Sequence, residues 1–279
     1  MQGFLHTARH LAIIALLFAS VCVLSWVRME KTLSHFRSVV QFVIQRSDDG
    51  KIGVRRGGLT YYLDHIVLDS AVREGVSVTA GQRLGMTNPA VYGIDLGVIN
   101  DALTVAFLSP ARYASESLHG DAPLQYFEEP LRSQLYGLVN CMGTNQDGRF
   151  NFDIAGRLSG NWFHESLSPG DSAGPGGWAR HLAFVHDNVD PSQVRISVGG
   201  MLAQLGVFAV EATAPDPADV DVTSGLVMYR LSRGGDSPST SSGVMLVQML
   251  DPSRLRVEIV GSVPGGTPAF SGAAQIYVR

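Results

Sequence analysis

The second half of the chain is a series of short β-prone segments separated by turns rich in glycine, proline, serine and aspartate. In one of them Leu255, Val257 and Ile259 are apolar and the residues between them are charged. Such alternation predicts a strand with one buried and one solvated face. We predict strands at residues 181–186, 193–197, 206–212, 225–231, 243–250, 254–260 and 269–278. Strands this short and closely spaced are typical of an antiparallel barrel or sandwich, so we expect a mainly β chain with such a domain at residues 151–279.

Gly160 and Trp162 stand at the start of this series. The pair resembles the beginning of lipocalin-like barrels, in which the indole closes one end of the barrel. A lipocalin-like barrel is therefore one form that the domain can take. Trp162 and its aromatic neighbours would then either line a pocket or form the core.

A different pattern occupies residues 57–108. It contains His65, a turn from Val72 to Gly75, and a glycine-rich closing segment at residues 93–98. Between the turn and the closing segment stand Val78, Gly81, Gln82, Leu84 and Gly85. Together these residues resemble the second half of the lysostaphin-like zinc metallopeptidases, which cut peptidoglycan cross-links. The resemblance implies a barrel-sandwich-hybrid-like, peptidase-type β domain, which we place at residues 31–110.

The resemblance also shows which zinc ligands this chain lacks. It puts His65 at the family's active-site histidine, Gly93 at a catalytic histidine and Asp95 at a zinc ligand. The upstream His-x-x-x-Asp ligands have no counterpart between residues 28 and 63, where Asp49 has no histidine nearby. Catalytic zinc usually takes three protein ligands. We therefore predict no cofactor and no catalytic residue, with His65 as a vestige and with His65 and Asp95 as weak candidates for zinc.

Several local patterns organise the rest of the first half. Residues 31–44 have the apolar spacing of a short helix or of a helix that runs into a strand, and the turn at residues 48–51 predicts a hairpin. Further strands are predicted at residues 60–63, 65–68, 83–86, 93–98 and 104–107. Helices are predicted at residues 112–119 and 124–138, with Pro130 in a first turn. Residues 111–150 are thus expected to be a helical connector.

The N-terminal segment indicates export. Residues 11–27 are apolar and uncharged, with Arg9 before them and Arg28 after them. Their length fits a signal peptide or a short membrane anchor, which we place at residues 1–30. Either interpretation puts the remaining chain in the periplasm or the extracellular space, anchored to the membrane through residues 11–27 or secreted.

Charge and cysteine content exclude other classes. A formal net charge of −4 and a pI near 6.0 provide no broad basic face for nucleic acid. The two cysteines are Cys22, which lies in the apolar segment, and Cys141, so we expect no disulfide in the folded part.

The predicted function is that of a non-catalytic envelope protein whose peptidase-like module binds a partner, acts as a scaffold or regulates cell-wall hydrolysis. Its partners would be cell-wall glycan or peptide, or a cell-wall hydrolase. The candidate binding residues are Asp64, His65, Asp95 and Trp162. Two alternatives remain open, an active zinc-dependent peptidoglycan endopeptidase and a carrier of an apolar small ligand in the C-terminal barrel.

Overall fold

The computed structural model describes residues 38–46, 49–91, 93–172, 177–202, 205–233, 241–261 and 268–279. It is mainly β and contains a closed antiparallel barrel, which confirms the predicted class. Residues 11–27 and the first part of the predicted helix at residues 31–44 lie outside these ranges. Within the ranges, no helix has the length and apolar character needed to cross a membrane.

The first half forms a six-stranded sheet built around a hairpin. Strand β1 (Ser38–Gln45) pairs antiparallel with β2 (Gly50–Arg56), which confirms the predicted hairpin. Next to β2 lie β3 (Leu59–Asp64) and then β7 (Asp95–Asn100), also antiparallel. The edges are the short strands β5 (Ser77–Val78) and β8 (Gly120–Asp121). A separate ribbon pairs β4 (Ile66–Leu68) with β6 (Gly85–Thr87).

The two faces of this sheet have different chemistry. The side chains on one face form a buried apolar cluster that includes Val40, Ile52, Val54 and Leu63. Because side chains alternate along a strand, the intervening residues of β2, β3 and β7 share the opposite face. They include Lys51, Gly53, Tyr62, Asp64, Asp95 and Gly97. This polar face is the one that borders the large cleft described below.

Glycine is required at the two turns that the resemblance singled out. Gly75 has φ +80° and Gly81 has φ +79°, and both have open space where a side chain would begin. Glycine adopts this left-handed conformation without steric cost, whereas other residues seldom do. The turn residues of the pattern therefore have a backbone explanation that is independent of zinc chemistry.

The connector between the two halves contains less regular structure than predicted. The segment at residues 104–107 is not a strand; Phe107 instead stacks on Tyr113, with 3.8 Å between ring centroids. The helix predicted at residues 112–119 is reduced to α1 (Ser115–Leu118) after a 3₁₀ turn at Pro110–Arg112. The helix predicted at residues 124–138 is split into a 3₁₀ turn at Pro123–Tyr126 and α2 (Leu131–Tyr136). Pro130 causes this split, because the residue before a proline disfavours the helical conformation.

The second half is an eight-stranded barrel in which each strand pairs with the next. Its strands are β9 (Gly160–His164), β10 (His181–His186), β11 (Val194–Val198), β12 (Gly206–Val210), β13 (Val227–Arg233), β14 (Ser241–Asp251), β15 (Arg254–Val260) and β16 (Gln275–Val278). Pairing of β16 with β9 closes the barrel. A short helix, α3 (Pro169–Ser172), and a 3₁₀ turn at Trp178–Arg180 lie between β9 and β10.

The barrel interior is filled by large side chains. Trp162, Phe184, Tyr229 and Tyr277 are all fully buried at 0% exposure. They belong to one apolar cluster with the inward residues of β10 to β15. Fully buried side chains that are packed this closely leave no room beside them for a ligand. These positions therefore form a packed core.

Arg279 closes one end of this core. Its guanidinium lies 3.9 Å from the centre of the Trp162 ring and donates hydrogen bonds to the carbonyl oxygens of Ile154, Leu158 and Ser159. The indole N–H of Trp162 also donates to the Leu158 carbonyl, at 2.8 Å. Burial lowers the pKa of Arg279 to about 10, so the guanidinium stays charged at neutral pH. Trp162 thus has a structural role at the end of the barrel.

Candidate functional site

A cleft of about 610 Å³ runs between the polar face of the first sheet and the outer surface of the barrel. The sheet contributes Arg46, Lys51, Tyr62, Asp64 and Asp95; the connector contributes Arg112, Tyr113, Glu116 and Asp121; and strands β9 and β10 contribute Asn161, Phe163 and His181. The barrel residues are those that alternate with the buried core positions Trp162 and Leu182. The cleft therefore lies outside the barrel, with the connector as its third wall.

A cluster of charged side chains lies at the sheet end of the cleft. Asp64 and Asp95 are direct partners on β3 and β7, and like charges at such positions repel. His65 follows Asp64: its Nδ1 is 2.8 Å from Asp49 Oδ2 and its Nε2 is 3.6 Å from Asp95 Oδ2. The imidazole therefore lies between two carboxylates.

The backbone at His65 has an unusual conformation. Its φ is +65°, whereas the other described residues with positive φ are glycines. The backbone N–H of His65 donates to Asp64 Oδ1 at 3.0 Å, and its carbonyl accepts from the Asn88 N–H at 3.3 Å. Left-handed backbone at a non-glycine residue costs free energy and is concentrated at functional sites. The turn directs the imidazole back toward the hairpin that carries Asp49.

Arg46 supplies a positive charge within this cluster. Its Nη1 donates to Asp64 Oδ1 at 2.8 Å and to Asp49 Oδ2 at 3.0 Å, and its Nη2 donates to Asp64 Oδ2 at 3.3 Å. The hydrogen bond with Asp64 is the largest contribution to a raised pKa of Arg46. Burial raises the pKa of Asp49, but hydrogen bonds from His65, Asn88 and Arg46 outweigh it, so the pKa of Asp49 lies below its usual value. The Asp49 carboxylate is thus stabilised in its ionised form.

The same atoms are the ones that a metal ion would use. Asp49, Asp64 and His65 offer ligand atoms that all lie within 4.8 Å of one another. However, the Arg46 guanidinium is hydrogen-bonded to both carboxylates, and both ring nitrogens of His65 face a carboxylate. A catalytic zinc needs neutral imidazole and free carboxylate lone pairs, with one position open for water. In this arrangement the donor set does not fit zinc.

A second ionic contact lies further along the cleft. Lys51 is largely buried, forms an ion pair with Glu116 of α1, and has its Nζ 3.9 Å from the centre of the Tyr62 ring. Tyr62 in turn lies over Gly97, where a Cβ atom would overlap the ring. Buried charges are normally paired in this way. This contact links the first sheet to the connector.

The structure brings together three of the four predicted binding residues. Asp64, His65 and Asp95 form one cluster, whereas the Trp162 side chain lies in the barrel core. In the sequence, Asp49 has no histidine near it. In the folded chain this expectation is wrong, because the hairpin turn brings Asp49 to His65.

Sequence reasoning also missed Arg46 and Asn88. The pairing of Gln45 with Gly50 and of Lys51 with Asp64 places the hairpin beside the end of β3, and this register was the signal that could have indicated Arg46. His164 is buried outside this cluster, and its ring nitrogens contact Ser166 and Gln275.

Comparisons of the chain with protein families, with curated proteins and with solved structures find no match.

Proposed function

We propose that this chain is a non-catalytic binding protein of the cell envelope, in which a peptidase-like sheet and a barrel enclose a ligand cleft. The observation that supports this most directly is the position of Arg46. Its guanidinium bonds to the two carboxylates that would otherwise be available to a cation. The same module has glycine at the family's catalytic histidine. A site of this kind keeps the shape of a peptidase cleft and replaces the metal charge with a side chain.

The cleft itself supports a binding role. Aromatic side chains and charged groups line it together, as in many sites that orient a polar ligand against apolar walls. The charged lining residues Lys51 and Glu116 are already paired with each other. Cell-wall peptide or glycan is the proposed ligand class, and a cell-wall hydrolase is the proposed protein partner.

Zinc-dependent peptidoglycan hydrolysis is the second candidate function. The ligand atoms of Asp49, Asp64 and His65 lie within 4.8 Å of one another, which favours it, but zinc would have to displace the Arg46 guanidinium from both carboxylates. A carrier of an apolar ligand inside the barrel gains no support, because the inward positions are filled by buried aromatic and aliphatic side chains.

Cosedimentation of the full chain, purified in detergent, with isolated peptidoglycan sacculi tests the proposal. We expect the protein to pellet with the sacculi while the sacculi remain intact with added zinc. Ser117→Trp places an indole in the cleft wall and should reduce the bound fraction. Ser115→Trp is the matched control, because Ser115 is also an exposed residue of α1 but lies outside the cleft lining. Stoichiometric zinc together with hydrolysis would favour the enzyme instead.

A further inference from the structure

Arg112 lines the cleft and differs in its contacts from Arg46, the arginine of the charged cluster. Arg112 lies at the end of the 3₁₀ turn Pro110–Arg112, and its Nη1 donates to the Leu167 carbonyl at 2.9 Å. Its guanidinium lies 5.1 Å from the centre of the Phe163 ring. These two contacts fix the guanidinium against the outer surface of the barrel, where it lines the cleft.

Arg112 has no acidic partner among the residues that the structure describes. Arg46, Arg157 and Arg195 each form an ion pair with an aspartate. Arg112 is instead partly desolvated, and burial lowers its pKa below the usual value without any carboxylate to offset that effect. A partly buried charge that is not compensated costs free energy. A guanidinium has five N–H donors, and only the one to Leu167 is used within the described protein.

A second basic side chain lies on the same aromatic ring. The His181 ring packs edge-on against Phe163, with 5.0 Å between ring centroids, and its Nε2 is 2.9 Å from the Ser172 carbonyl oxygen. Burial lowers the pKa of His181, and the charge of Arg112 adds to that effect. Arg112 thus supplies positive charge at the barrel end of the cleft, whereas at the sheet end the positive charge of Arg46 is paired with Asp64.

We propose that Arg112, fixed on Phe163 beside His181, is an anion subsite of the cleft and binds a carboxylate group of its ligand. A guanidinium offers paired N–H donors whose spacing matches the two oxygens of a carboxylate. Fixing the side chain in advance reduces the entropy lost on binding. This inference rests on the proposed ligand-binding role of the cleft, and it adds the chemistry that one end of the ligand must have.

Titration by NMR with N-acetyl-Ala-Ala and with its C-terminal amide tests the subsite in the full chain in detergent. The indole N–H signal of Trp178, which lines the same cleft, and the ring signals of His181 report binding. The acid should bind about tenfold more tightly than the amide, because the two probes differ only in the charged group. This comparison uses the unmodified protein and does not depend on whether a variant folds.

The Arg112→Gln variant should lose the preference for the acid. Arg256→Gln is the matched control: Arg256 also stacks on a phenylalanine, Phe270, and donates to a carbonyl, that of Ser271, but it lies outside the cleft lining, so the preference should persist. Equal affinity for acid and amide, or an unchanged preference in Arg112→Gln, would overturn the inference. Binding of inorganic phosphate without binding of the acid would overturn the assignment to a carboxylate. Zinc binding and hydrolysis test the proposed function separately.

Discussion

At the scale of single residues, the charged cluster is explained by the repulsion between carboxylates. Asp64 and Asp95 face each other across two strands, and Asp49 joins them from the hairpin. Three carboxylates in a partly buried space require positive charge or hydrogen-bond donors to remain ionised. Arg46, His65 and the Asn88 amide supply these donors.

Replacing Arg46 tests this explanation. Arg46→Gln removes the guanidinium from the buried Asp64 carboxylate, and we expect the free energy of unfolding to fall by about 1.5–3 kcal/mol, the range for hydrogen bonds to charged groups. Arg83→Gln is the control, because its ion pair with Asp69 is exposed and should contribute less than about 1 kcal/mol. Urea unfolding of both variants measures the difference. An equal decrease in the free energy of unfolding of the two variants would show that Arg46 contributes no more than an exposed charge.

The lowered pKa of Asp49 predicts a pH dependence. The pKa of Asp49 is lower in the folded protein than in the unfolded chain, where it is near 3.8. The ionised carboxylate therefore stabilises the fold at pH values above 3.8. This stabilisation is lost as the pH falls through the pKa of the folded protein. The stability difference between the unmodified protein and Asp49→Asn should therefore be largest at neutral pH and should shrink below about pH 4. Urea unfolding at several pH values measures it. A difference that stays constant between neutral and acidic pH would contradict the assignment.

Sequence reasoning reached only part of this cluster. The peptidase resemblance indicated His65 and Asp95, because both stand at positions of a recognisable pattern, and Asp64 is adjacent to His65. Arg46 and Asp49 belong to no pattern of spacing. They reach the site because β2 pairs with β3 in a register that places the hairpin turn beside Asp64. The turn and the apolar alternation indicate that register only once the pairing of β2 with β3 is known.

At the scale of elements, the sequence indicated strands better than helices. The predictions at residues 181–186 and 254–260 coincide with β10 and β15, because alternating or apolar runs between turn residues define strands locally. The prediction at residues 104–107 was wrong because that apolar run packs against the connector without pairing. Pro130 divides a segment whose apolar spacing alone favoured one continuous helix.

In the first sheet, an aromatic ring on one strand covers a glycine on the strand paired with it. The Tyr62 ring of β3 covers Gly97 of β7 and also contacts Lys51. Gly97→Ala would force this ring to move, and we expect a loss of about 1–3 kcal/mol, typical of added volume in a packed site. Gly272→Ala is the control, because a Cβ there meets open space. Thermal unfolding compares the two; similar midpoints would show that the ring moves without cost.

At the scale of the whole molecule, one end of the barrel core is covered by a residue far from β9 in sequence. Arg279 joins the segment before β9 to the end of the chain through three carbonyl groups and the Trp162 ring. Gly160 and Trp162 predicted a closed end, but the arginine that stacks on the indole was not predicted. Its contacts span more than 100 residues, beyond the reach of local pattern.

Arg279→Gln should weaken this closure. Loss of charged hydrogen bonds to buried carbonyl groups predicts a decrease of about 2–3 kcal/mol in the free energy of unfolding. Tryptophan fluorescence during urea unfolding reports it, since Trp162 is fully buried in the folded state. Arg254→Gln is the control, because its ion pair with Glu165 is exposed on both sides. A decrease no larger than that of the control would contradict a closing role.

The cleft is also a property of the whole molecule, because the sheet, the connector and the barrel each supply one wall. Its central chemical feature is that the Arg46 guanidinium forms ion pairs with the Asp49 and Asp64 carboxylates. Anomalous diffraction at the zinc edge from crystals soaked in zinc tests this most directly. We predict that Arg46 remains between Asp49 and Asp64 with no anomalous peak beside them. A strong peak bound by Asp64 and His65, with Arg46 displaced, would contradict the account.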